Sequence, residues 1–465
     1  MCIQGWVVRA LQYLLALPVV SLLLAAGCSA AAAQNDRSSD QTVVIVAGGD
    51  LGFGGSDQPL HAKGGYRHGR LIAWRDIGRD IAPLLNGDIN FANLETVVTG
   101  RNTLKPANKK FRFQMHAEGL RRIIEMGFNV LSTANNHSRD YGQAGMRETL
   151  RHLSSLKALG TLRAFPGIGQ GRTAALRPAV VAIGKSQKIA IGALGIGGTP
   201  LARNSKGYGQ IGYHSTKDFS EALDTLAETA AGYRILSVHY GSELQLHPSS
   251  YDIQRLRDRA VRVAGVDLVI GHHSHVPAGV QMVNGKLILY GLGNLLHFGM
   301  QNMGKFNACR DFGLMARIFL SPNKTGHLQA RAIQMIPLTD MHQANARPVP
   351  AAQARKRIAV LNGLASHLTD TKSGAQGLRF APQTDGTGLY CFDGADKTHG
   401  KIAKLCRNWT AADTDTGKTR FPVHPCAAAR PAPRTTALSK KARKHSSTSS
   451  KKRFVAEYFA NLEKR

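Results

Sequence analysis

From Thr42 onward, short runs of β-branched and other apolar residues alternate with stretches of helical periodicity. The runs TVVIVAGGD (42–50), FNVLSTANNH (128–137), KIAIGALGIGG (188–198), YRILSVHYG (233–241), VDLVIGHHSH (266–275) and KLILYGLGN (286–294) each end in glycine or polar residues, as a buried strand does where it leaves a sheet. Between them GLRRIIEMG (119–127), GMRETLRHLSSLKALG (145–160), SEALDTLAETAAG (220–232) and YDIQRLRDRAVRVAG (251–265) carry helical spacing and stop at glycine. This alternation predicts an α/β domain whose strands are largely buried on both faces. The chemically capable residues gather at the C-terminal ends of the strands, the edge where open α/β sheets place their sites. FGLMARIFL (312–320) and HLQARAIQMIPL (327–338) read as closing strands, after which the pattern weakens.

The two ends follow other rules. MCIQGWVVRALQYLLALPVVSLLLAAGCSAAAAQ places one early cation, Arg9, before an apolar run from Ala10 to Ala26 and small residues around Cys28, the tripartite pattern of a secretory signal. The run LAAGC resembles a lipobox with its leucine one place early, so acylation of Cys28, simple cleavage and an uncleaved anchor are alternative readings. All of them predict export to the periplasm or cell envelope. The layout that follows is a signal over 1–28, a linker over 29–41, a main domain over 42–340, a C-terminal extension over 341–428 and a basic tail over 429–465. The extension begins with a helical piece near Gln343. Its Cys391, Cys406 and Cys426, with Cys309, suit two disulfides in an oxidising compartment, in a pairing the sequence leaves open.

Across 465 residues the net charge is +30, enough for long-range attraction of polyanions. Much of the excess sits in ARPAPRTTALSKKARKHSSTSSKKRF, which has no acidic residue and reads as a solvated basic arm. Export argues against nucleic acid as the partner and for anionic polymer or lipid headgroups.

Five clusters carry candidate chemistry: Gly49-Asp50, Asn93-Leu94-Glu95, Asn135-Asn136-His137, His239-Tyr240-Gly241 and Gly271-His272-His273-Ser274-His275. Each alone is weak, because a Gly-Asp after a strand is usually a turn and a lone strand-end histidine is usually a satisfied polar residue. Together they supply what a dinuclear hydrolytic site needs: a shared carboxylate, neutral imidazoles and an amide oxygen around two divalent cations. Such cations acidify bound water and stabilise charge on phosphoryl oxygens, and a histidine held off the metals can protonate the leaving group. FPGIGQGRTAA (165–175) is glycine-rich but lacks the Lys-Ser/Thr ending of a phosphate loop and reads as a turn.

The order Asp, acidic residue, Asn-His, His, Gly-His-x-His resembles that of calcineurin-like metallophosphoesterases. The spelling resembles the CapA family of capsule and poly-gamma-glutamate biosynthesis proteins: VVIVAGGDLGFGG, DINFANLETVVT, GFNVLSTANNHSRDYG, SVHYGSEL with HPSSYDIQ, and VDLVIGHHSHVPAGVQMVNGKLILYGLGNLL, spanning Val43 to Leu338. The resemblance implies a four-layer α/β/β/α sandwich of metallophosphoesterase type with a small C-terminal extension. It implies Asp50 and Glu95 as metal carboxylates, Asn136 as an amide ligand, and His239, His273 and His275 as imidazole ligands of two ions, Mn, Zn or Fe. His137 would be the acid or phosphate contact with Asp140 beside it. His272 is an alternative ligand, and Asn93, Asn135, Glu243 and Asn294 are supporting candidates. Two spellings depart from ordinary metallophosphoesterases: Asp50-Leu51-Gly52 stands for Asp-x-His, leaving one ion an imidazole short, and Glu95 stands for the customary Asp. Implied function is metal-dependent hydrolysis on an envelope polymer, poly-gamma-glutamate or capsular polysaccharide, or on its precursor. The alternative is a non-catalytic polymer-binding part of a capsule-assembly complex.

Overall fold

The computed structural model describes residues 42–55, 58–196, 206–300 and 307–410. The signal segment with Cys28, the basic tail and Cys426 lie outside the described residues. The strands that build the site are, in chain order, β1 (Val43–Gly52), β2 (Ile89–Leu94), β3 (Val130–Ser132), β4 (Gln187–Leu194), β5 (Tyr233–His239), β6 (Leu268–His272), β7 (Asn294–His297), β8 (Gly313–Pro322) and β9 (Leu328–Thr339). The helices are α1 (Ala117–Glu125), α2 (Gly142–Ala158), α3 (Thr216–Glu228) and α4 (Ala351–Ser366).

Two sheets stack face to face. In the first, β9, β8, β1, β2 and β3 are successive neighbours and β7 also pairs with β1; in the second, β6, β5 and β4 are neighbours. Alternation along β1 explains the layering, because successive side chains of a strand point to opposite faces. Val43, Ile45 and Ala47 join Ile189, Ile191, Ile235, Leu268 and Ile270 in the core between the sheets. Val44 and Val46 face the other way, onto Leu120 and Ile123 of α1 and Leu153 of α2. On the far side of the second sheet, Ala190, Leu236 and Val269 meet Phe219 and Leu223 of α3 and Leu256 of the following helical segment. Helices therefore flank a double sheet, and the architecture is a four-layer α/β/β/α sandwich. Truncating a core position such as Ile45 to alanine costs about 2–5 kcal/mol.

The segment Gln254–Val263 winds as a π-helix after one α-turn capped by Ser249 and Asp252, a winding that apolar spacing alone does not signal. FPGIGQGRTAA forms the short strand Gly169–Gln170 and the short helix Gly171–Leu176. Residues after 341 enter both sheets: Gly388–Cys391 pairs with β9, Ala375–Gly377 pairs with Val280–Val283, and α4 buries Ile358, Leu361 and Leu364 in the intersheet core. A disulfide joins Cys391 to Cys406.

Topology then fixes the site. β1 pairs with β8 only through Ala47; beyond the irregularity after Ala47 it pairs in parallel with β7, Asp50 opposite Asn294 and Gly52 opposite His297. Parallel β2 and β3 bring Asn93 beside Asp50 and Ser132 beside Asn93. In the second sheet His239 lies opposite His272. The Ser237 hydroxyl donates to the Ser132 hydroxyl at 2.9 Å, so the two rows of strand ends meet.

Candidate metal centre

Asp50 and Glu95, both fully buried, sit at the ends of the central parallel strands. The Asn93 amide donates to Asp50 Oδ1 at 2.9 Å and approaches His239 Nδ1 at 3.2 Å. The His273 backbone N–H donates to Asp50 Oδ2 at 3.2 Å, and His275 Nδ1 lies 3.5 Å from the same oxygen. His275 Nδ1 also meets Asn294 Oδ1 at 2.8 Å. His272 Nδ1 is 3.2 Å from Asp50 Oδ1, close enough for attraction but without hydrogen-bond alignment.

Glu95 is shared. Its Oε1 lies 3.3 Å from His239 Nε2 and 4.0 Å from His137 Nε2, while its Oε2 lies 3.7 Å from His297 Nε2. Two buried donor groups therefore overlap on it, Glu95–His239–His273 and Glu95–His275–His297, with the ligand atoms of each within 4.8 Å of one another. Neither oxygen of Glu95 has a hydrogen-bond partner among the described residues, nor do His273 Nδ1 or both ring nitrogens of His297. Unpaired buried polar atoms are costly, about 1–3 kcal/mol each. A cluster of them with carboxylate and imidazole chemistry matches the donor set of a transition-metal cation.

Charge balance supports that fit. Burial and the neighbouring Glu95 work to raise Asp50, but contact with His272 and attraction to His272 and His239 leave its carboxyl below the ordinary range. Burial likewise opposes ionisation of Glu95, yet His239 and His275 hold it well below that range. Burial, reinforced by repulsion from His239 and His275, pushes His273 well down, which keeps its imidazole neutral as a ligand requires. Burial also lowers His297, whereas at His275 the charges of Glu95 and Asp50 overcome burial and raise the ring. His273 and His275 both adopt left-handed backbone, φ 89° and 56°, which few non-glycine residues do and which concentrates at functional sites.

Beside the cluster, His137 Nδ1 and Asp140 Oδ2 are 2.6 Å apart, and the His137 ring stacks on Phe113 at 4.0 Å. Asp140 also accepts from Lys109 Nζ and from the Phe113 backbone N–H, each at 2.6 Å. Nδ1 is thereby anchored and Nε2 is turned toward Glu95.

The structure thus gathers Asp50, Asn93, Glu95, His239, His272, His273, His275 and Asn294 into one buried pocket, with Asn136 and His137 at its rim. Asn136 Oδ1 contacts His239 Nε2 at 2.7 Å. Asn135 braces the loop, its amide donating to Leu94 O at 2.9 Å and Asn93 Oδ1 at 3.3 Å. Glu243 is half-buried and acts on His275 through its charge. Sequence reasoning missed His297, which lies in the apolar run LLHF just past GLGN, and Lys109 and Phe113, which no motif marks.

The double sheet and its buried carboxylate–imidazole cluster define a four-layer α/β/β/α protein with a candidate metal centre. The family model for bacterial capsule synthesis protein PGA_cap matches residues 44–298, more than half of the chain, and the chain belongs to that family. It is 28% identical over 260 residues to the PGA biosynthesis protein CapA of Bacillus subtilis strain 168, covering 55% of this chain and 62% of that relative, which is less than two thirds of its length. It is 27% identical over 334 residues to a probable polyglutamine synthesis accessory protein of Mycobacterium tuberculosis strain CDC 1551, covering 64% of this chain and 84% of that one. The solved structure of a hypothetical protein from Thermus thermophilus aligns with 63% of this chain and 98% of that chain at 15% identity and a TM-score of 0.34.

Proposed function

We propose that this chain is an exported component of capsule or poly-gamma-glutamate biosynthesis whose sheet-edge pocket holds two divalent cations, Mn, Zn or Fe, and hydrolyses a phosphoester-type bond in an anionic envelope polymer or its precursor. The observation that carries the reading is Glu95, one buried carboxylate common to two histidine pairs, with Oε1 3.3 Å from His239 Nε2 and Oε2 3.7 Å from His297 Nε2. Cations bound there would supply an acidified water and Lewis-acid stabilisation of phosphoryl oxygens. The chain's own residues do the rest. Asp50, fixed by Asn93 and the His273 N–H, keeps negative charge at the pocket floor. Anchored by Asp140, His137 presents Nε2 to protonate the leaving oxygen, while Phe113 holds the ring in place.

A second reading, a polymer-binding role without turnover, is favoured by a groove of about 760 Å³ lined by Arg147, Arg151, Lys157 and Arg177 beside Phe165 and Val180. Ile168, also in its lining, makes the link to the pocket loop, its N–H donating to Thr133 Oγ1 at 2.9 Å. Full-length protein produced in metal-replete medium separates the readings: metal analysis should find divalent cations, and a generic phosphodiester or monoester should be hydrolysed by the wild type but not by Asp50→Ala. Bound metal without turnover supports the binding role, and protein free of metal under those conditions removes the hydrolase reading.

A further inference from the structure

His297 enters the pocket from a strand that contributes no other titratable side chain. It ends β7, is fully buried, and lies opposite Gly52 in the parallel pairing with β1. Gly52 is where the geometry is tightest. A Cβ built on it would stand 2.3 Å from His297 Nε2, 2.5 Å from Cδ2 and 2.6 Å from Cε1. The imidazole therefore occupies the space a side chain at position 52 would claim. Phe113, edge-on at 5.2 Å, and His275, edge-on at 5.1 Å, close the other sides. Held this way, the ring faces Glu95 Oε2 at 3.7 Å, too far for a good hydrogen bond, and both of its nitrogens are unpartnered among the described residues. A buried imidazole oriented so firmly toward a carboxylate and a second imidazole, yet bonded to neither, is a donor awaiting an acceptor of electron pairs.

The geometry points to His297 as a metal ligand, the third donor of the cation site it forms with Glu95 and His275, with Gly52 kept side-chain-free to admit it. This inference rests on the reading of the pocket as a metal centre. It also accounts for the imidazole absent from Asp50-Leu51-Gly52: the same volume is filled from the neighbouring strand, so positions 52 and 297 are interchangeable sources of one ligand.

The test counts metal in the full-length protein by elemental analysis and by titration with Mn²⁺, followed by electron paramagnetic resonance. Wild type should bind two equivalents with the signal of a coupled pair. His297→Phe, which keeps the ring volume and removes the donors, should bind one equivalent with an uncoupled Mn²⁺ signal, while His273→Ala should affect the other equivalent. Gly52→His combined with His297→Gly should restore the second equivalent. Two equivalents in His297→Phe at wild-type affinity would overturn the assignment while leaving the metal centre intact. A wild type that binds no cation would instead bring down the underlying reading. Unchanged near-ultraviolet circular dichroism in His297→Phe makes loss of one equivalent a statement about the ligand; if that variant fails to fold, the double exchange decides, and a single equivalent there counts against the assignment.

Discussion

The two halves of the pocket share Glu95 but are held by different physics. On one side, hydrogen bonds do the positioning: Asn93 and Asn136 contact the two nitrogens of His239 at 3.2 and 2.7 Å, and Asn135 braces Asn93. On the other side, packing positions His297 between Phe113, His275 and the bare Cα of Gly52, with no polar partner for the ring among the described residues. Amide networks tolerate small shifts by adjusting hydrogen-bond length, whereas a ring wedged against backbone does not. The polar half should therefore fail gradually on substitution and the packed half abruptly.

Removing what the halves share has the largest effect. Glu95→Gln keeps the shape and deletes the charge, so both equivalents of metal should be lost in titration, well beyond the roughly 10–100-fold that losing a supporting partner costs. Retention of either equivalent would show that the halves do not depend on one carboxylate. Gly52→Ala comes next, because its methyl must displace the His297 ring. Overpacking of this kind costs about 1–3 kcal/mol, read as a lower urea midpoint, and the second equivalent alone should weaken. Asn93→Ala is the matched probe of the polar half. It should weaken the His239–His273 equivalent about 10–100-fold and leave the His297 equivalent close to wild type.

The same contrast explains what the sequence revealed. Asp50, Asn136, His137, His239 and the histidines of GHHSH were legible because each ends a run with strand character, and parallel strands must deliver their C-terminal ends to one edge. His297 was hidden because it sits inside an apolar run, where a single histidine looks like core, and because its meaning depends on a pairing between residues 52 and 297. Gly52 read as a missing ligand for the same reason: an absent side chain looks like a loss until the group filling its volume is known. The strand and helix order emerged from periodicity, but the additions after residue 341 did not, since strands such as Ala375–Gly377 and Ala381–Pro382 are too short to show a period. The π winding of Gln254–Val263 was equally invisible, because ten residues hold too few turns for the longer π period to stand out from that of an α-helix.

Acid should find the packed half first. His342 supports β7 through its ring nitrogen Nδ1, 3.1 Å from the His297 carbonyl, and burial, helped by His297, pushes its pKa down to about 3. The unfolded chain takes up this proton near the ordinary value of 6.5, the folded chain only near 3. Between those values the unfolded state binds more protons, so this group costs stability as pH falls below about 6.5, by up to about 1.4 kcal/mol per pH unit, and costs nothing above it. Urea titrations at pH 7 and pH 5 should show the metal-free wild type losing about 1–2 kcal/mol more than His342→Gln over that interval. Equal losses would mean that the ring is protonated in the folded state.

The smallest effect belongs outside the pocket, in the groove lined by Arg147, Arg151, Lys157 and Arg177. Arg151 is already paired with Glu148 at 2.7 Å, and Lys157 lies over the Phe165 ring at 5.8 Å, so Arg147 and Arg177 are the more informative positions to reverse. Exposed charges contribute modestly and are screened within about 10 Å at 0.1 M salt. Arg147→Glu with Arg177→Glu should therefore weaken binding of poly-gamma-glutamate severalfold at low salt and hardly at all at high salt, without altering metal content. If the groove is the polymer track, the salt dependence of binding must flatten in the double variant. An unchanged slope would shift the attraction to other basic parts of a chain carrying +30, and the pocket and the polymer would then be linked by charge in bulk, with no defined path between them.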